Sequence, residues 1–269
     1  MKKIDTAIII VNHNHKKSII KLIESIYAHN DLETTKIIFI QNKPSKFIKN
    51  YIKDFDEIVF VENKDIQGFS RNVNDAIHLA KSLFSVNYFL LLNPDIVIKN
   101  NILFPFIEMI DNNNGIGIIG PKLLNDDGSI QYSCRKFYNL KYIFIRMFRL
   151  NFLFGNKIEN DILMKNFNHD EQSDVDWISG AVMFFNKNFL DKVGIFDDKN
   201  YFMYSEDQDI CLRSWHNNLK VVYNPNVECF HSYGRKGSSL KISKYSFYQL
   251  YSTVRMFKKF NFSLSRYYF

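Results

Sequence analysis

The stretch Tyr88-Phe89-Leu90-Leu91-Leu92-Asn93-Pro94-Asp95 decides how this chain reads. Its first five residues are an unbroken apolar and aromatic run, the pattern of a strand buried on both faces rather than on one. A carboxylate then stands where that strand should break into a loop. In open α/β sheets ligands bind in the crevice outside the carboxyl ends of the strands, which is where Asp95 falls. A second acidic cluster, Glu206-Asp207-Gln208-Asp209, follows about 110 residues later, and His231 lies beyond it. Two separated carboxylate sites and a histidine suit a cation that holds a diphosphate and a base that activates an acceptor.

On the N-terminal side of this stretch, strand and helix patterns alternate. Ala7 to Val11 is a β-branched run and reads as a buried parallel strand. Ser18 to Ala28 places Ile19, Ile20, Leu22, Ile23 and Ile26 at helical spacing. Lys36 to Ile40 and Glu57 to Val61 read as strands, and Asn74 to Phe84 as a helix. After Asp95, Ile102 to Ile110 is expected to be helical and Gly115 to Ile119 a strand. Such alternation implies βαβ units, a mostly parallel sheet and helices on both faces.

Beyond Pro121 the character changes. Asn125-Asp126-Asp127-Gly128 reads as a turn, residues 135–157 are basic and aromatic, and 158–173 form a polar loop. Val175 to Phe185 reads as one strand interrupted at Ser179-Gly180. Ser205 to His216 reads as a helix, Lys220 to Tyr223 and Val227 to Phe230 as two strands, Gly234 to Ser239 as a flexible basic loop, and 241–260 as a basic, aromatic helix.

The bulk numbers bound the answer. The chain has 269 residues, 46% of them hydrophobic, so a packed core is expected and disorder is not. A net charge of +7 favours anionic partners: nucleotides, phospholipid surfaces or nucleic acid. Cys134, Cys211 and Cys229 are widely spaced, with no CxxC pair, which argues against a zinc site or disulfide framework and for a reducing compartment. The N-terminus lacks a cleavable leader pattern, and no run approaches the roughly 18 apolar residues of a membrane span. A cytoplasmic protein is expected.

The ordered set of motifs resembles the inverting family 2 glycosyltransferases of the GT-A fold, in particular their rhamnosyltransferase-like branch. The matching stretches are Ile8 to Asn14, Gly68-Phe69 with Asn74, Leu91 to Asp95, Gly120 to Leu124 with Asp127 to Gln131, Asp176 to Ala181, Glu206 to Arg213, and His231. Gln41, beside Asn42, stands where the family has an Asp that pairs with the nucleobase; an amide still donates to and accepts from a pyrimidine edge. Ile66 stands where the family tends to have Asn. The resemblance implies a GT-A domain over residues 1–240, with a nucleotide-binding half (1–120) and an acceptor-binding half (121–240), followed by a C-terminal helical appendage (241–269).

On this reading Asn12, His13, Gln41, Asn42, Arg71, Asn74, Asn93, Asp95, Trp177 and Arg235 face the nucleotide-sugar donor. Arg235 and its neighbour Lys236 reach its diphosphate from a closing loop. Asp95 and His231 hold Mn²⁺ or Mg²⁺ through an NxD rather than a DxD site, the imidazole favouring Mn²⁺. Asp207 is the general base and Glu206 holds the acceptor or orients that base. Each assignment has a plainer rival. Asp95 would cap a helix starting near Asn100. Ser205 with the following acidic residues would form a helix N-terminus. Trp177 would be a core residue, and Asp209 is assigned a structural role.

The acceptor implied is a glycan or lipid-linked oligosaccharide. The stretches 135–157 and 241–260 fit peripheral contact with an anionic membrane, and no RNP-like or helix-turn-helix signature points to nucleic acid. The rival functions are a nucleotidyltransferase on a similar sheet and a non-catalytic module binding anionic surfaces. The first needs a Gly-rich phosphate loop where Asn12-His13-Asn14-His15 stands.

Overall fold

The computed structural model describes residues 2–138, 142, 157–232 and 244–266. Its strands are β1 (Lys2–Lys3), β2 (Thr6–Asn12), β3 (Thr35–Gln41), β4 (Ile58–Glu62), β5 (Phe84–Ser85), β6 (Tyr88–Leu92), β7 (Ile96–Ile98), β8 (Ile116–Leu124), β9 (Ile130–Gln131), β10 (Cys134–Arg135), β11 (Ser173–Asp174), β12 (Trp177–Ile178), β13 (Val182–Asn186) and β14 (Lys220–His231). Ten of them make one mixed sheet in the order β11-β14-β8-β13-β6-β2-β3-β4, with β7 on β14 and β9 on β8. The run β6-β2-β3-β4 is parallel, as the alternation of strands and helices requires.

All seven residues of β2 are buried, which explains why it reads as a continuous apolar run instead of an alternating one. Successive side chains go to opposite faces. Ile9, Ile38 and Leu91 pack with Val73, Ala76, Ile77 and Ala80 of the helix Phe69–Leu83. Ile8, Ile10, Leu90 and Leu92 pack on the other face with Ile19, Leu22, Ile23 and Ile26 of the helix Lys16–His29 and with Phe106 of the helix Leu103–Asp111. The expected layering of helices on both faces of an α/β sheet is therefore present.

Several elements differ from the sequence reading. Val175 to Phe185 is not one interrupted strand: β12 pairs with β10, while β13 enters the main sheet antiparallel to both β6 and β8. The break at Ser179-Gly180 moves the chain from one sheet to another. Lys220 to Tyr223 and Val227 to Phe230 are one strand, β14, with a register shift between Asn224 and Glu228. A bulge accommodates Pro225, which has no N–H to give to a ladder. The helix Lys157–Ile162 occupies the start of the expected polar loop. The helix Lys46–Ile52, capped by Ser45 Oγ accepting from Ile48 N, and the short β7 were not anticipated. Both are too short to show a period.

The helix Lys244–Lys259 packs inward: Met256 and Phe257 are buried in the main core. Ser252 Oγ donates to the Met203 carbonyl at 2.9 Å, and Lys259 Nζ meets Asp197 at 2.7 Å and Asp209 at 2.6 Å.

One side chain ties the N-terminal half to the loop beneath that helix. Asn74 is buried; its Nδ2 donates to the Phe196 carbonyl at 2.8 Å and its Oδ1 accepts from Phe196 N at 3.1 Å. Both ends of the amide are thereby used on backbone. Asn74→Ala would strand a buried N–H and C=O, so it should destabilise the fold by about 2 kcal/mol or more. Denaturant unfolding checks this, and a loss under about 0.5 kcal/mol would show that the staple contributes little.

Candidate active site

Asp95 and His231 come together through strand register. β7 runs antiparallel to the end of β14 with Ile96 opposite His231, so Asp95, one residue earlier, lies beside the ring. His231 Nε2 stands 3.3 Å from Asp95 Oδ1, with side-chain exposures of 6% and 18%. Burial pushes the Asp95 carboxyl up, but the hydrogen bond and charge of His231, with the charge of His15, outweigh it and hold the group below the usual range. Asp95 does not cap the next helix, which begins at Leu103 with Asn101 Oδ1 accepting from Phe104 N.

The second acidic pair lies at the same end of the sheet. Leu92 pairs with Val182, and Asn93 N donates to the Ala181 carbonyl at 2.8 Å. The next residue back, Gly180, donates its N–H to Asp207 Oδ2 at 3.2 Å. Two short backbone links thus connect the Asp95 turn to Asp207. The helix Glu206–His216 starts after Tyr204 and Ser205, both left-handed at φ 72° and 68°. Such conformations cost non-glycine residues about 1–3 kcal/mol each and cluster at functional sites. Ser205 makes no side-chain cap to this helix, contrary to the capping pattern its position suggested.

Glu206 and Asp207 have unequal surroundings. Burial and then the Asp207 charge push Glu206 up to about 8, and its Oε2 is buried without a hydrogen bond. Burial raises Asp207 too, but N–H donors from Gly180 and Gln208 and the charge of Arg135 oppose that rise. Burial therefore acts on both carboxyls, and of the two Asp207 has the larger set of donors and the positive charge opposing it. Asp209 points elsewhere: fully buried, it holds Arg213 at 2.7 Å, Lys259 at 2.6 Å and the Tyr201 hydroxyl at 3.2 Å.

At the ends of β2 and β3, Asn12 Nδ2 donates to Gln41 Oε1 at 2.8 Å, and Gln41 Nε2 donates to the Lys43 carbonyl. Asn42 brackets Gln67, accepting from its N–H at 2.8 Å and donating to its carbonyl at 2.9 Å. His13 is exposed at the turn after β2, and Asn93 is half-buried. Arg71 is exposed and meets Asp75 and Asp198. It borders a cleft of about 510 Å³ with Gln67, Gly68, Asn200 and Tyr251, within the range of small-ligand sites. Trp177 is buried, donates to the Lys136 carbonyl at 2.9 Å and lies under the Arg135 guanidinium. Arg235 and Lys236, with the rest of 233–243 and of 143–156, lie outside the described residues.

Some neighbours of the site escaped the sequence reading. Gln131, noted only as part of a matching stretch, touches His231. Lys17 and Lys21 line a small hollow with Asp95, Val97 and Ser232. Their i, i+4 spacing at the start of the helix that follows β2 was the available signal, because helix starts at that end of a sheet face ligands. Among the described residues no group of three or more His, Cys, Asp and Glu stands ready for a metal.

A model described as Glycosyl transferase family 2 matches residues 7–172. The rhamnosyltransferase WbbL of Escherichia coli is 30% identical over 256 residues, spanning 92% of this chain and 90% of that protein. Two solved structures share the fold. GalNAc-T7 with UDP, GalNAc and Mn²⁺ has a TM-score of 0.67 at 14% identity, over 95% of this chain and 48% of that one. The mannosyltransferase PcManGT of Pyrobaculum calidifontis, with GDP-Man and Mn²⁺, has a TM-score of 0.60 at 12% identity, over 96% and 64%. This chain thus spans about half to two thirds of those solved chains. The fold is that of the GT-A glycosyltransferases, and the nucleotidyltransferase and binding-module readings give way. The chain belongs to glycosyl transferase family 2, within its rhamnosyltransferase-like branch.

Proposed function

We propose that this protein is a metal-dependent inverting hexosyltransferase that moves a sugar from a nucleotide-diphosphate donor, dTDP-rhamnose or a UDP-hexose, to a growing surface polysaccharide on a lipid carrier. The observation that supports it is the pair of links from Asn93 to Ala181 and from Gly180 to Asp207, which bring the Asp207 carboxylate and the Asp95–His231 pair to one end of the sheet. The name of the 30% identical relative favours a rhamnose donor.

In this scheme Asp207 takes the proton of the acceptor hydroxyl. The freed oxygen attacks the sugar C1 from the face opposite the diphosphate, the bond from C1 to the diphosphate oxygen breaks, and the configuration inverts. Glu206, protonated near neutral pH, donates a hydrogen bond to the acceptor. Asn12, His13, Gln41 and Asn42 form the nucleobase end, and Arg71 serves the diphosphate, a role assigned on sequence to Arg235 as well. Asp95 and His231 fit a cation that takes its remaining ligands from phosphate oxygens and water, as Mn²⁺ and Mg²⁺ do at nucleotide sites. They would hold it where its charge offsets that developing on the leaving nucleoside diphosphate. With two protein ligands among the described residues, such a cation would depend on the nucleotide for the rest of its shell.

The helix Lys244–Lys259 turns Phe247, Leu250, Tyr251 and Val254 outward at helical spacing, all exposed. With the basic residues around them, they support peripheral contact of residues 241–269 with the anionic inner face of the cell membrane. Among the described residues no helix is long and apolar enough to cross a membrane.

Asp207→Asn should cut turnover by about 10²–10⁴-fold while leaving donor affinity by calorimetry nearly unchanged; near-normal turnover would remove Asp207 as the base. Asp95→Ala should instead abolish the Mn²⁺-dependent part of dTDP or UDP binding, and equal affinity with and without the carboxylate would discard that ligand. Replacing Phe247 and Leu250 by Ser should lower co-sedimentation with anionic vesicles. If the fraction bound stays the same, this helix face is not the contact.

A further inference from the structure

We infer that Gln131 decides which nitrogen of His231 is bare, and so turns that imidazole into a cation ligand beside Asp95. The inference rests on the metal reading above and adds to it a positioning residue and the network that orients it. Asp127 accepts from Ser129 Oγ at 2.5 Å. The hydroxyl proton is thereby used, and the Ser129 oxygen can only accept from Asn125 Nδ2, at 2.9 Å. The Ile130 carbonyl, an acceptor as well, lies 3.4 Å from the same nitrogen. Asn125 Oδ1 is then the atom turned toward Gln131 Nε2, at 3.0 Å. Gln131 Nε2 also faces the His231 carbonyl at 3.3 Å. Both partners accept, so the Gln131 amide has one sensible orientation, assigned as amide orientations are by the network around it.

That orientation aims Gln131 Oε1 at His231 Nδ1, 2.6 Å away. An amide oxygen only accepts, so Nδ1 carries the proton. In the neutral ring Nε2 is then a lone pair, 3.3 Å from a carboxylate oxygen of Asp95. In the neutral ring that lone pair and the carboxylate stand at a spacing that two ligands of a single cation share, whereas in the charged ring the same carboxylate accepts from Nε2–H. Metal-binding histidines commonly donate their other N–H to a fixed oxygen in this way. Here the oxygen belongs to Gln131 and is aimed by the stretch Asn125 to Ile130, whose first four residues read as a turn and whose remainder belongs to a matching stretch.

Gln131→Leu removes the acceptor with little change in bulk. Nitrogen-15 NMR of the ring, followed upward in pH until its shifts stop moving, with the His231 signals identified by their loss in His231→Asn, should show Nδ1–H in the wild type. In Gln131→Leu it should show a shift to Nε2–H, the form favoured by free histidine in water. Mn²⁺ binding in the presence of dTDP or UDP, read by electron paramagnetic resonance, should weaken by about 10–100-fold. Gln131→Glu, which keeps an acceptor oxygen, should restore both. A wild-type ring protonated on Nε2, or Gln131→Leu binding Mn²⁺ as the wild type does, would overturn the inference. A wild type that binds no Mn²⁺ with either nucleotide would instead overturn the metal reading, and the tautomer measurement would still judge Gln131.

Discussion

The antiparallel strand β13, wedged between β6 and β8, is the constraint on which the site depends. Phe184 and Phe185 of that strand point to opposite faces and enter the two separate cores. Phe184 stacks on Tyr88 and Phe185 on Phe89, each within 6 Å between ring centroids. A slip of one residue would send every side chain of β13 to the wrong face. Burial of aromatic surface therefore locks the register, and the register sets where Gly180 and Ala181 fall relative to Asn93. Nothing in the local chemistry of Asp95 or Asp207 brings them to one end of the sheet; the core does that.

Charge compensation sorts the acidic residues of the helix Glu206–His216. Asp209 is the deepest of them and is fully paired by Arg213 and Lys259, the latter arriving from the last helix. A buried carboxylate left without such partners would be strongly destabilising. Among the described residues Glu206 and Asp207 have no ion pair of that kind, and they sit where burial raises their proton affinity. One helix start thus holds a fully paired anion on one side and two buried carboxyls with raised proton affinity on the other. The positive φ of Tyr204 and Ser205 is the backbone conformation that turns the chain into this start.

Much of the fold was legible because its signals are long and periodic. The runs Ala7–Val11 and Tyr88–Leu92, and the spacing of Ile19, Leu22, Ile23 and Ile26, each belong to an element close to where the pattern put it. What escaped was short or non-local. Ile96–Ile98 has three residues and exists because β14 runs past it. The split of Val175–Phe185 into two sheets turns on Ser179-Gly180, which reads equally well as a bulge within one strand. Gln131 looked ordinary because its importance lies in a partner 100 residues away. Asn74 and Trp177 matched a motif that says nothing of how their polar atoms are engaged; the packed chain turns those atoms onto backbone carbonyls and amides.

The sequence by itself determined that an α/β sheet forms, that Asp95 ends one of its strands, and which family the ordered motifs belong to. These follow from hydrophobic period and residue order, properties that neighbouring positions carry along the chain. The family resemblance put Asp95 and His231 on one cation, and the sequence set Asp209 apart; only the tertiary structure decided the contacts themselves, Asp95 with His231, Asp207 with Gly180, and Asp209 with Arg213 and Lys259. Contacts of that kind are fixed by register across strands and by which charges find partners when water is excluded, and neither is written in any local stretch.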